Sequence, residues 1–65
     1  MNRELREVLK ALEAQDFTVR RTRRGHYFVT KDGQRVATFA GTASDHRALA
    51  NGIADAKRAG FRWPV

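Results

Sequence analysis

The sequence predicts an α+β fold, a two-layer αβββα sandwich in which a three-stranded antiparallel sheet carries two helices on one face. Three observations predict it. Apolar residues repeat with helical spacing near both ends of the chain, the middle of the chain alternates as strands do, and Asp32-Gly33 marks a tight hairpin. The 65 residues form a single domain, 1–65, with a small core, because so short a chain buries only about 60% of its unfolded surface.

The first predicted helix spans Asn2 to Ala14, with Asn2 as its N-cap. Its apolar residues follow the i, i+3, i+4, i+7 spacing of an amphipathic helix and are Leu5, Val8, Leu9 and Leu12. Gln15 and Asp16 interrupt that pattern, and an alternation beginning at Phe17 indicates the first strand. We interpret this helix as scaffold.

The second and third predicted strands flank Asp32-Gly33, which suits a two-residue type I′ turn. Such a turn pairs Val29 with Val36 and Phe28 with Ala37. One face would then carry His26, Phe28, Thr30, Arg35, Ala37 and Phe39, and the other Tyr27, Val29, Lys31, Gln34, Val36 and Thr38. Both faces are mixed, so alternation leaves the core face open, and a bulge or a longer loop would exchange the two sides.

The second predicted helix runs from Asp45 to about Ala59, with Ser44 as its N-cap. A narrow apolar face and several small residues favour close packing on the sheet; the apolar residues are Leu49, Ile53 and Ala56. Gly60 is the expected C′ residue, with Phe61 folding back on the helix. We expect Trp63, in an apolar tail, to dock on the domain or on a partner.

The net charge of +6 is concentrated in the middle of the chain, where residues 17–36 carry six basic side chains and one acidic one. Such asymmetry indicates a polyanionic partner. No cysteine is present, and two histidines far apart in sequence do not indicate a zinc site. We expect no cofactor. Without an apolar signal region or a bilayer-spanning run, the protein is expected in the cytosol and not at a membrane.

The stretch Arg20–Phe28 is the candidate functional site. Arginines suit phosphates, aromatic rings stack on bases, and an imidazole moves protons near neutral pH. His26 is the catalytic candidate. The nucleic-acid-binding candidates are Arg21, Arg23, Arg24, Lys31, Arg35, Tyr27, His46 and Arg47. Each of these functional roles has a structural alternative: His26 could simply end a strand, Phe28 could pack in the core, and His46 could belong to a surface cap. Asn51 and Asp55 could form a polar stripe with Arg47 and Arg58, or simply a solvated helix face.

The order of these features resembles the HicA-type toxins of bacterial toxin–antitoxin systems. The resemblance lies in Gly25-His26 opening the second strand, the Asp32-Gly33 hairpin and the ending Arg58-Ala59-Gly60-Phe61. It implies a double-stranded-RNA-binding-domain-like fold, ribosome-independent cleavage of mRNA with His26 as the catalytic residue, and neutralisation by a HicB-like antitoxin. One departure is that His26 follows Gly25 directly, where the family commonly has a small residue in between.

Two hypotheses follow. The first is an endoribonuclease whose indispensable proton-transfer group is His26. The second is a non-catalytic module of the same fold that uses the same surface to bind nucleic acid or an acidic protein partner.

Overall fold

The computed structural model describes residues 3–41 and 46–64. It contains two helices and three strands in the order α1 (Arg3–Ala14), β1 (Thr18–Arg21), β2 (Tyr27–Lys31), β3 (Gln34–Phe39) and α2 (His46–Arg58). The strands form one antiparallel sheet in the order β1-β2-β3. The predicted α+β architecture is therefore confirmed. The predicted N-caps, Asn2 and Ser44, lie outside the described residues.

The core lies between one face of the sheet and the two helices. All four predicted apolar residues of α1 are buried, and α2 buries Leu49, Gly52 and Ala56, with Ile53 half-buried. They share one cluster with side chains of the sheet, namely Val29, Ala37, Phe39 and Tyr27. In the described ranges, neither helix is long and apolar enough to cross a bilayer.

Helix α1 ends in a Schellman motif that the sequence did not signal with a glycine. Asp16 adopts a φ of 71°, its N–H donates to the carbonyl of Glu13 at 3.3 Å, and the Phe17 N–H donates to the carbonyl of Leu12 at 3.0 Å. This pairing satisfies two carbonyls that the helix would otherwise leave open. The turn also directs Phe17 back into the core.

Helix α2 ends in the same motif, as predicted. Gly60 has a φ of 102°, its N–H donates to Lys57 at 3.0 Å, and the Phe61 N–H donates to Ala56 at 3.0 Å. Phe61 is 4% exposed and meets Phe17 edge-to-face, with ring centroids 5.9 Å apart. The two helix ends thus place their aromatic residues against each other at one end of the sheet.

The tail after α2 docks on the domain, one of the two outcomes expected for Trp63. Its ring stacks on Phe61 with a centroid separation of 6.0 Å. Gln15 also holds the tail: its side-chain amide donates to the carbonyl of Arg62 at 3.0 Å and accepts from the Arg62 N–H at 2.9 Å. This clasp joins the end of α1 to the segment after α2.

Close packing between α2 and β3 depends on Gly52. A Cβ at this position would lie 2.5 Å from Cε1 of Phe39, whose side chain is fully buried. The helix approaches the sheet at the one buried position where its backbone carries no side chain. Gly52 therefore has the packing role that the sequence predicted for the small residues of α2, whereas Ala50 and Ala54 are exposed.

The hairpin between β2 and β3 has the predicted turn but not the predicted register. Asp32 and Gly33 both have positive φ, at 53° and 80°, as a type I′ turn requires. Next to the turn, Lys31 pairs with Gln34 and Thr30 with Arg35, as predicted. Beyond them the partner of Val29 is Ala37, so one residue of β3 is bulged.

The bulge corrects the predicted assignment of the two sheet faces. Because Val36 is the extra residue, Ala37 and Phe39 move to the face that carries Val29 and Tyr27, and all four are buried in the core. The opposite face carries Phe28. The regular register was wrong since it would have left Ala37 and Phe39 in solvent; burial of these residues selects the bulged one.

Candidate nucleic-acid interface

The turn between β1 and β2 is a three-residue hairpin loop closed by Thr22. The Thr22 carbonyl accepts from the Gly25 N–H at 3.0 Å, which forms a β-turn across Arg23 and Arg24. Gly25 follows with a φ of 82°. A turn followed by a left-handed glycine is a common solution for a loop of this length. It sets two arginines at the tip, and we call residues 22–26 the basic turn.

The backbone of His26 is fully engaged at the base of the basic turn. Its N–H donates to Oγ1 of Thr22 at 3.1 Å, and its carbonyl accepts from the Thr22 N–H at 2.8 Å. The residue itself is exposed, and its ring has no hydrogen bond or ion pair with any residue in 3–41 or 46–64. The result is an exposed imidazole on a fixed backbone.

A close approach of two glycines supports the basic turn from behind. A Cβ on Gly41 would collide with the carbonyl oxygen of Gly25, so the chain leaving β3 touches the turn. Helix α2 runs from His46 past Gly52, which lies against Phe39 at the end of β3, to a C-terminal end where Phe61 meets Phe17 at the opposite end of the sheet. His46 and Arg47, both exposed, therefore start the helix at the same end of the sheet as His26.

Three exposed arginines lie at the same end of the sheet as the imidazole, and Arg21, the partner of Tyr27, is on the face opposite to Phe28. Arg21 ends β1, and Arg23 and Arg24 form the tip of the turn; all three are exposed. In the part of the chain that the structure describes, none of the three forms an ion pair; the ion pairs there are Arg3–Glu7 and Asp55–Arg58. Their charge is available to an anion from solution.

Lys31 does not belong to this end of the sheet. It lies at the far end of β2, four residues from Tyr27, which is a separation of about 13 Å along a strand. Its ammonium lies 4.5 Å from the centroid of the Phe17 ring and donates to the carbonyl of Gln15 at 3.4 Å. Lys31 therefore lies too far from His26 to hold a phosphate beside it, and its side chain is committed to the end of α1. Its contact with nucleic acid stays a prediction.

Arg35 is also distant from His26. It pairs with Thr30 near the β2–β3 turn, and its guanidinium carbon lies 4.1 Å from the centroid of the Phe28 ring. The predicted phosphate contact beside His26 does not fit this placement. Arg35 instead belongs to the open face of the sheet.

Tyr27 and Phe28 exchange the positions expected of them. Tyr27, predicted to contact nucleic acid, is 8% exposed and belongs to the core cluster. Phe28, for which core packing was the competing role, is half-buried on the face away from the helices. The bulge at Val36 is the reason, since it decides which face is covered. Of the two rings, that of Phe28 is the one accessible for base stacking.

The side of the sheet that faces away from the helices, which we call the outer face, brings together residues from all three strands. Its residues are those that alternate with the core residues: Thr18, Arg20, Phe28, Thr30, Arg35 and Thr38. Arg20 belongs to the candidate stretch but was not among the predicted nucleic-acid contacts. It lies directly opposite Phe28 in the β1–β2 ladder, and strand alternation puts Arg21 on the other face.

Comparisons of the chain with protein-family models, with curated proteins and with solved structures gave no match. Within residues 3–41 and 46–64, no three His, Cys, Asp or Glu side chains are grouped as a metal site requires.

Proposed function

We propose that this protein binds RNA and cleaves it as an endoribonuclease of the HicA type, with His26 as its proton-transfer group. One observation carries the proposal: Thr22 holds both backbone polar groups of His26, while the imidazole stays exposed beside Arg23 and Arg24. A histidine with only a structural role would be expected to use its ring for a contact within the fold.

The chemistry is transphosphorylation within the RNA strand. The 2′-oxygen attacks the adjacent phosphorus, the bond from phosphorus to the 5′-oxygen breaks, and the products are a 2′,3′-cyclic phosphate and a 5′-hydroxyl. His26 takes the 2′-hydroxyl proton, and the imidazolium returns a proton to the departing 5′-oxygen. Arg23 and Arg24 stabilise the charge that develops on the phosphorane oxygens.

The basic end of the domain supports RNA as the substrate class. Arg21, Arg23 and Arg24 are exposed there, and Arg47 begins α2 at the same end. Arginine is well suited to phosphate because its fork donates two parallel hydrogen bonds. The resemblance to HicA-type toxins adds the expectation that a HicB-like antitoxin covers this end and blocks cleavage.

A second candidate function is RNA binding without cleavage. The same exposed arginines favour it, since they provide a phosphate-binding surface whether or not His26 transfers a proton. This candidate predicts RNA binding that weakens steeply with added salt, with RNA left intact.

Expression in bacteria separates the two. Wild-type protein is expected to arrest growth and deplete mRNA, whereas His26→Gln, which keeps a polar side chain without acid–base capacity, is expected to do neither at equal protein level. Gln34→Ala, an exposed change at the opposite end of the sheet, is the control and should behave as wild type. Equal mRNA loss with wild type and His26→Gln would contradict catalysis by His26.

A further inference from the structure

We propose that the outer face of the sheet binds single-stranded RNA by stacking an unpaired base on the platform formed by the Phe28 ring and the Arg35 guanidinium over it, with Arg20 holding an adjoining phosphate. This inference rests on the proposed function for the identity of the polymer, and it adds both a surface and a strandedness that the proposed function does not specify. The proposed binding surface is the face away from the helices and not the basic turn.

On the outer face, the ring of Phe28 is accompanied by two arginines, Arg20 and Arg35. Arg20 lies directly opposite Phe28 in the β1–β2 ladder. Arg35, on β3, places its guanidinium over the same ring, with the guanidinium carbon 4.1 Å from the ring centroid. An arginine plane is itself a surface on which bases stack, so Phe28 and Arg35 together form a stacking platform.

The charge of the sheet suits a phosphate backbone. The three strands contain no acidic residue, while β1 and β3 carry Arg20, Arg21 and Arg35. The remaining outer-face residues are threonines, whose hydroxyls donate to phosphate oxygens without adding negative charge. Arg20, Phe28 and Arg35 border a cleft of about 430 Å³, together with Thr18, Val19 and Thr30.

Single-stranded RNA fits this surface better than a duplex does. Phe28 lies within the sheet and is half-buried, so a base must leave its own stack to reach the ring. A paired base in an A-form helix is not available for this, whereas a base in a loop or an unpaired end is. The outer face is therefore selective by shape.

The outer face also leads towards the proposed catalytic histidine. Thr22 and His26 are hydrogen-bonded to each other immediately beyond the pair Arg21–Tyr27, so they continue the hairpin register. Strand alternation then puts His26 on the same side as Phe28, two residues or about 7 Å along the chain. A base held by Phe28 would direct a neighbouring phosphate towards His26.

Binding of a fluorescent 2′-O-methyl oligoribonucleotide tests the proposal, because this probe cannot be cleaved through its 2′-oxygen. Loss of binding then reports on the outer face, and loss of cleavage alone reports on the proposed function. The variants are Phe28→Ala, Phe28→Tyr, Arg20→Gln and, as an aromatic control on the docked tail, Trp63→Ala. Unfolding midpoints establish that each variant is folded.

Phe28→Ala is expected to weaken single-strand binding by between about 5- and 150-fold, the usual effect of losing one base–aromatic stack. Phe28→Tyr and Trp63→Ala should bind as wild type does. Arg20→Gln, which leaves the ring in place, should lower the slope of log affinity against log salt by about 0.7. This last variant keeps the proposal testable if Phe28→Ala does not fold.

Three results would overturn the proposal. One is unchanged single-strand binding in Phe28→Ala or, where that variant does not fold, an unchanged salt slope in Arg20→Gln. The second is an equal loss of binding to a hairpin duplex of matched length, which would remove the preference for unpaired bases. The third is Phe28-dependent binding of a polyglutamate peptide at least as tight as that of the oligonucleotide, which would make the face a site for an acidic protein.

Discussion

Two glycines at one end of the sheet determine how His26 is presented. Gly25 adopts a φ of 82°, which a residue with a side chain rarely takes, and this allows Thr22 to close the basic turn. Gly41 has no room for a Cβ against the carbonyl of Gly25. Together they fix a short turn whose only long side chains are arginines and the histidine. The proposed chemistry depends on this local rigidity.

Gly52 gives a prediction for stability at the same scale. Gly52→Ala gains about 1 kcal/mol of helix propensity, but it drives a methyl group into the fully buried ring of Phe39. Overpacking costs about 1 to 3 kcal/mol, so we expect a net loss of up to about 2 kcal/mol in urea unfolding.

Asn51→Ala is the matched control for Gly52→Ala. Asn51 is the exposed neighbour in α2, so the change improves helix propensity without a clash and should leave stability equal or slightly higher. Stabilisation by Gly52→Ala of the same size as the control would show that α2 is not held against Phe39 as described.

The bulge in β3 determines which residues each face of the sheet carries. Val36 is the extra residue, and it places Phe39 in the core and leaves Phe28 beside two arginines on the outer face. Without it, Phe39 would lie in solvent. The bulge therefore determines both the packing of α2 and the composition of the proposed RNA surface.

Deleting Val36 is expected to leave the protein folded. The deletion makes the β2–β3 ladder regular while Val29 still faces Ala37, so the cost is limited to the burial of one half-buried valine, about 1 to 2 kcal/mol. Deleting Thr38, beyond the bulge, is the control. It moves Phe39 to the wrong face and should cost about 3 to 5 kcal/mol.

Thermal or urea unfolding of the two deletion variants checks this register. The regular register, with Val29 opposite Val36, makes the opposite prediction for Val36, because its removal would then shift every following residue to the other face. A deletion of Val36 that unfolds the protein as completely as a deletion of Thr38 would contradict the bulged pairing.

The elements that the sequence predicts well are those with a local physical signal. The apolar stripe from Leu5 to Leu12, the Asp32-Gly33 turn and the Gly60-Phe61 ending all correspond to the structure. The bulge at Val36 has no local signal beyond two mixed strand faces. The clasp between Gln15 and Arg62 joins residues 47 positions apart, so no local sequence pattern predicts it.

The candidate site divides in the same way. Arg23, Arg24 and His26 are neighbours in the chain, so the sequence predicts their proximity and the turn provides it. Lys31 is close to His26 in the sequence but lies at the other end of β2, because an extended strand separates the two residues. The face on which Phe28 lies depends on a bulge, and the position of Arg20 beside its ring depends on the β1–β2 register.

At the scale of the whole molecule, the packed helix ends and the basic turn lie at opposite ends of the sheet. Helix α1 and the clasped tail meet at one end of the sheet, where Phe17, Phe61 and Trp63 pack together. The basic turn occupies the other end, and the outer face runs between the two ends on the side away from the helices. The exposed arginines of the basic turn would attract a polyanion to that end, as the proposed function requires.

Whether His26 transfers the proton in RNA cleavage can be measured with a labelled single-stranded RNA and excess purified protein, with cleaved and bound RNA determined in the same samples. Wild type is expected to produce fragments ending in 2′,3′-cyclic phosphate. His26→Ala is expected to bind a comparable fraction of the RNA and to lose at least about 100-fold in rate, the usual contribution of a positioned acid–base group. Cleavage by His26→Ala at the wild-type rate would contradict proton transfer by His26.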